Sequence, residues 1–401
     1  MSFSRRRLIV LPLTVGALGL AGVSTRAAAA TEGGTTGPAP ETTVFTSGAD
    51  GYAVYRIPAV VRTTRGTLLA FAEARSGSAD SARTVVVARR SADGGRTWAG
   101  QAVVAGDGTD THGNPAPVVD PRTGRITLLT CTNGAGVTEE QIMSGQAPAA
   151  DGRRVWVQHS TDDGLTFTAP REITAAAGHP DWRWYATGPG HAIALGTGPH
   201  RGRLVAPANH SSAPPAGSAD TGTEAKYYGG HCLLSDDGGT TWRIGFVDGT
   251  PDGVVNANET AVAQLADGTV YFNARDQNGS APGVRVDARS ADGGEHLEQP
   301  YAPQVELSGP VVQGSLLQPV GGPLLFAGPA DPDARAAMAV RASADGGRTW
   351  ADVRTLSRLP AGYSDLVQTG PDEVGLLYET GTATAYDRIA FARLPLRELH
   401  P

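Results

Sequence analysis

The stretch Ser343–Trp350, SADGGRTW, also stands residue for residue at Ser91–Trp98. Close variants occur at Ser160–Phe167 (STDDGLTF) and Ser235–Trp242 (SDDGGTTW), and a degenerate one at Ser290–Leu297 (SADGGEHL). Successive copies begin 69, 75, 55 and 53 residues apart. A unit that recurs at such a period is the mark of a repeat architecture, and one four-stranded blade fits each step. The chemistry of the unit is that of a hairpin turn. Ser and Asp side chains satisfy turn N–H groups, Gly takes a positive φ, and the closing aromatic packs between sheets. The repeat is therefore structural.

Working outward, each copy follows a strand-like run, such as Thr84–Arg90, Arg154–His159 and Ala337–Ala342. Further β-rich runs lie at Arg125–Thr130, Arg203–Ala206, Thr269–Asn273 and Pro323–Phe326. With 53 Gly and 28 Pro in 401 residues, turns are frequent and long helices are not expected. The expectation is an all-β fold, a six-bladed β-propeller of about 60 residues per blade over residues 43–401.

Residues 1–30 read as an export signal. Ser4-Arg-Arg-Arg7 precedes an apolar run from Leu8 to Val23, and Ala27 to Ala30 offer small residues for cleavage. The twin-arginine and ordinary secretory routes both stay open. Residues 31–42, rich in Gly, Pro and Thr, read as a flexible linker. The mature protein is expected to be secreted and monomeric, without a membrane anchor or a separate carbohydrate-binding module. A net charge of −7 with dispersed basic residues argues against a nucleic-acid groove, so an anionic ligand must meet a local arginine site. Cys131 and Cys232 each sit in an apolar run outside any metal or redox spacing and read as two buried thiols in preference to one disulfide.

A propeller does not name a function, so the scattered polar residues must. Tyr55-Arg-Ile-Pro58 opens the domain, and Phe71-Ala-Glu-Ala-Arg75 follows before the first repeat. With the repeats, known as Asp boxes, this combination resembles the bacterial and animal exo-α-sialidase family over nearly the whole mature chain. The resemblance implies a retaining glycosidase that removes terminal sialic acid from glycoproteins, glycolipids and oligosaccharides. It implies no metal and no organic cofactor.

Sialic acid carries a carboxylate on the carbon that becomes the oxocarbenium centre, and planar bidentate arginines suit that anion. The family uses three; the matching positions are Arg56, Arg275 in Phe272-Asn-Ala-Arg275, and Arg335. The resemblance makes Tyr363 in Ala361-Gly-Tyr-Ser-Asp365 the nucleophile and Glu259 its base. A neutral phenol avoids the repulsion that a carboxylate nucleophile would meet from the substrate's own carboxylate, and sialidases with a Tyr nucleophile are a recognised exception among glycosidases. Asp80, in the loop SGSADSA, matches the general acid. Where many bacterial members continue with acidic residues, this chain has Ser81-Ala-Arg83.

Arg75, Asn114 and Tyr185 are implied as pocket residues, and Glu379 as the acid that holds Arg56 in position. For Glu139 and Glu140 a solvated loop is the first reading and a place at the pocket the second, and His191 and His210 read as structural. Two other functions share these features: a non-catalytic glycan- or protein-binding propeller, and a trans-sialidase.

Overall fold

A computed structural model describes residues 35–36, 39–249 and 253–401, and these belong to one compact unit, Gly34–Pro401. The expected export signal, and residues 31–34 and 37–38 of the expected linker, lie outside the described residues. Within the expected flexible linker, Thr35–Thr36 pairs in parallel with the strand Ala351–Thr355, and the strand Glu41–Thr46 opens ahead of the expected boundary at residue 43, so these linker residues are held by backbone hydrogen bonds.

Among the described residues the regular structure is nearly all strand, arranged as a propeller of mostly antiparallel sheets. The strands Val54–Arg62, Leu68–Arg75, Thr84–Ser91 and Ala102–Ala105 follow one another as hairpins. Thr111–Val119, Ile126–Asn133, Arg154–Ser160 and Arg171–Glu172 do the same. A single parallel bridge, Thr84 to Thr111, joins these two sets into one eight-stranded sheet. Separate sheets follow, built on Leu204–Ser212 with Tyr228–Ser235, on Ala257–Gln264 with Val270–Asp276, and on Leu324–Pro329 with Met338–Ser343. The last sheet contains Ala361–Gly370, Glu373–Thr380 and Arg388–Pro395, and its outer strand is Glu41–Thr46 from the far end of the sequence. First and last segments of the domain are thus hydrogen-bonded to each other. Val44 and Phe45 bury there, with Phe45 stacked on Tyr55 at 5.3 Å between ring centres. Each such burial is worth about 2 kcal/mol.

Sheets stacked face to face are covered on both sides, so their inner strands lose the alternation of a half-exposed strand. Leu68–Arg75 is buried at every position. The core accordingly lies between sheets, as in the cluster of Leu325, Val340, Leu376 and Ala392. Both cysteines are buried free thiols, as their apolar settings suggested.

The box turns sit where the third strand of a sheet ends. In the first, Ser91 Oγ donates to Asp93 Oδ1 (2.8 Å) and accepts from Gly95 N–H (2.8 Å); Asp93 also accepts from Arg96 N–H (3.0 Å), Thr97 N–H (2.9 Å) and Thr97 Oγ (2.6 Å). Gly95 has φ +84°, and a Cβ there would run into the Phe391 ring of the last sheet. The degenerate copy keeps the device: His296 replaces Thr, and its N–H (3.0 Å) and Nδ1 (2.8 Å) meet Asp292.

Candidate active site

At the sheet ends opposite the boxes, the first strands bulge. The regular register breaks between Arg56 and Ala59, between Gly113 and Ala116, between Ala257 and Thr260, and between Ala361 and Ser364. A bulge re-aims side chains that strand alternation would send elsewhere. These four bulges carry or adjoin Arg56, Asn114, Glu259 and Tyr363. Two of them hold residues in the left-handed region, Asn114 at φ +53° and Ile57 at φ +57°. For a β-branched residue such a φ is strained, and surrounding contacts must hold it.

Glu379 supplies that hold. Its carboxylate is fully buried and accepts from Ile57 N–H (2.9 Å), Arg56 Nε (2.8 Å) and Tyr363 N–H (2.9 Å). One acid therefore fixes two bulges and the first arginine. Glu73 performs a parallel task, accepting from Arg75 (2.6 and 2.9 Å) and from Asn114 N–H (2.8 Å).

The bulges and the ends of the neighbouring strands enclose a cavity of about 250 Å³ lined by Arg56, Arg75, Asp80, Asn114, Glu259, Arg275, Arg335 and Tyr363 among others. Eight of the ten expected positions thus surround one space. Glu379 lies behind it. Tyr185 does not line it: a bulge between Trp182 and Tyr185 puts Trp184 and Ala186 at the cavity instead, and Tyr185 packs into the core beside Trp182 and His231.

Within the cavity, the Tyr363 hydroxyl donates a very short hydrogen bond to Glu259 Oε1. Arg275 Nη1 reaches Glu259 Oε2 at 2.9 Å and the Tyr363 oxygen at 3.4 Å. Arg56 stacks between two rings, 4.9 Å from Tyr363 and 4.2 Å from Tyr386. Burial and the Glu259 charge hold the Tyr363 phenol well above its ordinary pKa, against the opposing pull of Arg275 and Arg56. The resting tyrosine is protonated. Arg335 bonds the Tyr386 hydroxyl (3.0 Å) and the Val311 carbonyl (3.2 Å); among the described residues no carboxylate pairs with it. It is a cation left for an anionic ligand.

Asp80 stands at the mouth, its side chain 87% exposed, 2.5 Å from Arg75 Nη1 and 3.9 Å from Arg56. Desolvation at the mouth raises its pKa, but Arg75, then Arg56 and Arg335, outweigh this and keep it below the ordinary carboxylate value. His191 and His210 are bonded structural residues: His191 Nδ1 lies 2.7 Å from Asp365, and His210 stacks on Trp182 and meets His231.

Among the cavity residues that the sequence reading did not place in the site are Arg153, Trp184 and Glu139. Arg153 donates to Asn114 Oδ1 (2.6 Å), Asn133 Oδ1 (2.8 Å) and the Tyr185 carbonyl (2.6 Å), and its guanidinium stacks 4.1 Å from Trp184. Its only sequence signal is its place at the head of a strand. Trp184 was hidden by the bulge. Glu139, expected in a solvated loop, opens a short helix, Glu139–Met143, with a Thr138 capping box, and lines the cavity. Burial, relieved in part by Arg153 and reinforced by Glu259, pushes its carboxyl up to about 7.

Residues 66–376 match the BNR repeat-like domain family. The sialidase of Micromonospora viridifaciens is 33% identical over 368 residues, 87% of this chain and 53% of that protein, so this chain spans about half of that relative's length. The exo-alpha-sialidase of Aspergillus fumigatus is 31% identical over 82% of this chain and 79% of its own. Among solved structures, a Hadza microbial sialidase superposes with a TM-score of 0.76 at 26% identity, covering 90% of this chain and 69% of its own. An intramolecular trans-sialidase of Ruminococcus gnavus shares the fold, with a TM-score of 0.73 at 18% identity. With that repeat model spanning most of the domain, and relatives above 30% identity over most of this chain, the chain belongs to the sialidase family.

Proposed function

We propose that this protein is an exo-α-sialidase that hydrolyses terminal α-linked sialic acid from glycoproteins, glycolipids and oligosaccharides, with retention, through Tyr363. One observation carries the reading: a buried tyrosine shares its proton with Glu259 inside a ring of three arginines. A phenol so placed is neutral at rest, and its proton has an acceptor at the moment of attack.

The substrate carboxylate sits against Arg56, Arg275 and Arg335. As Tyr363 Oη attacks the anomeric carbon, its proton passes to Glu259, and the bond to the aglycone oxygen breaks with a proton from Asp80. The substrate's negative charge offsets the arginines that depress Asp80 in the free protein, which raises the Asp80 pKa towards that of a working acid. In the second step Asp80 takes a proton from water, the water oxygen bonds to the anomeric carbon, and Tyr363 departs with the proton from Glu259. No step requires a metal or organic cofactor. Arg75 positions Asp80, and Asn114 with Arg153 faces the sugar's substituents.

The same reading includes a six-bladed propeller, with the eight-stranded sheet counted as two blades, acting as a secreted monomer. Among the described residues no helix is long and apolar enough to cross a membrane. The test is turnover of a fluorogenic α-sialoside by the purified protein and by Tyr363→Phe, Asp80→Ala and Arg335→Ala. Normal turnover in all three sinks the proposal. Proton NMR of the sugar as first released separates the stereochemical outcomes: the α anomer supports the tyrosine route and the β anomer contradicts it.

A further inference from the structure

Of the six tryptophans, Trp98, Trp182, Trp242 and Trp350 belong to or pack on core clusters, and Trp184 faces the catalytic cavity. Trp156 does neither. It forms one wall of a second cavity of about 440 Å³, within the range of small-molecule sites. The groove lies between the outer strand Ala102–Ala105 and the hairpin that carries Trp156. Val103, 52% exposed, contributes an apolar wall, and the turn residues Asp107 and Asp110 contribute exposed carboxylates. Trp156 Nε1–H is already committed to Thr132 Oγ at 2.9 Å, which fixes the indole plane. His112 is bonded to Thr130 (2.8 Å) and held neutral by burial, with a pKa of about 4.

We propose that this groove binds neutral hexose residues of a glycan. A pyranose presents an apolar C–H face that suits a fixed indole, and hydroxyls that suit carboxylate acceptors. Charge selects among sugars. Among the described residues no Lys or Arg lines the groove, while two Asp do, so an anionic sugar is repelled where a neutral one is accepted. This is the reverse of the catalytic cavity, which is rich in arginine. The two spaces also adjoin. Thr111 and Asn133 line the catalytic cavity, and the next residues along the same paired strands, His112 and Thr132, line the groove. Successive side chains of a strand alternate in direction, so the two spaces lie on either side of this one ladder.

The groove assignment does not depend on the catalytic reading, and its test uses lactose, which carries no sialic acid. Saturation-transfer NMR with the full chain is expected to detect lactose binding at millimolar concentration, about ten-fold weakened by Trp156→Ala and weakened less by Asp110→Asn. Binding is expected to survive in Tyr363→Phe and in the presence of saturating free sialic acid. No transfer at up to about 50 mM lactose, or equal transfer in Trp156→Ala and wild type, overturns the proposal. Displacement of lactose by sialic acid also overturns it, since it places the sugar in the catalytic cavity. If Trp156→Ala does not fold, Asp110→Asn, on an exposed turn, decides the matter: undiminished binding in that variant then overturns the proposal.

Discussion

The two ends of the strands Val54–Arg62, Leu68–Arg75 and Thr84–Ser91 solve the same problem in opposite ways. At the Ser91 end, the carboxylate of Asp93 is satisfied by donors two to four residues away. At the Arg75 end, the carboxylate of Glu379 gathers donors 16, 322 and 323 residues away. The first end is a turn that any sheet can carry unaided. The second exists only once several sheets have met. Local satisfaction yields a rigid, repeatable hairpin; non-local satisfaction holds strained bulges and uncompensated charge, which is what a catalytic site needs.

The contrast breaks most visibly at Glu379. Glu379→Ala leaves Arg56 buried without its partner, and unfolding measurements should record a loss of about 3–5 kcal/mol together with collapse of activity. Tyr363→Phe separates the two properties: activity on an α-sialoside should fall about 10³-fold while the melting curve stays close to wild type, because the ring remains and only the hydroxyl leaves.

Titration sharpens the comparison further. Glu139 binds its proton more tightly in the fold than its ordinary value of 4.5, up to about 7. The folded protein therefore keeps a proton that the unfolded chain has released, and stability declines as pH rises from about 4.5 through 7. Glu139→Gln should remove that slope and exceed wild type above pH 7 by about 3 kcal/mol, read from denaturant melts across the range.

At the box end Ser343→Ala should cost only about 1 kcal/mol, since it removes bonds to Gly347 N–H and Asp345 in one turn and leaves the other turns intact. The smallest effect has the opposite pH sign. Asp162 is held at about 2, first by the Thr166 hydroxyl and then by the Thr166 N–H. Its contribution is complete above the ordinary carboxylate value near 4 and is lost as pH falls towards 2. Thr166→Val, which deletes the hydroxyl, should flatten the acid limb of the melting curve slightly and leave the region above pH 5 unchanged.

This difference also explains what could be read in advance. The boxes are legible because Ser, Asp, Gly and Thr act on one another within eight residues, and even the degenerate copy works with His296 in place of threonine. Eight cavity positions, from Arg56 to Tyr363, were reachable through family resemblance, because short motifs such as Arg56-Ile-Pro58 travel intact. Tyr185 and Trp184 could not be sorted, since one inserted bulge residue exchanges the two faces of a strand. Glu139 was misread because a polar helix start looks the same in a solvated loop as at a cavity wall.

The amino-acid sequence by itself determined the turns, the strands, the repeat that makes sheets stack, and the presence of a few arginines and acids outside that repeat. Those follow from interactions between near neighbours along the chain. Only the tertiary structure decided that Glu379 reaches Arg56, that Glu259 meets Tyr363, and that Trp156 walls a groove beside the cavity. The partners stand 323 residues apart for Arg56 and Glu379, 104 for Glu259 and Tyr363, and tens of residues for the Trp156 groove, and no local pattern encodes a partner at such separations.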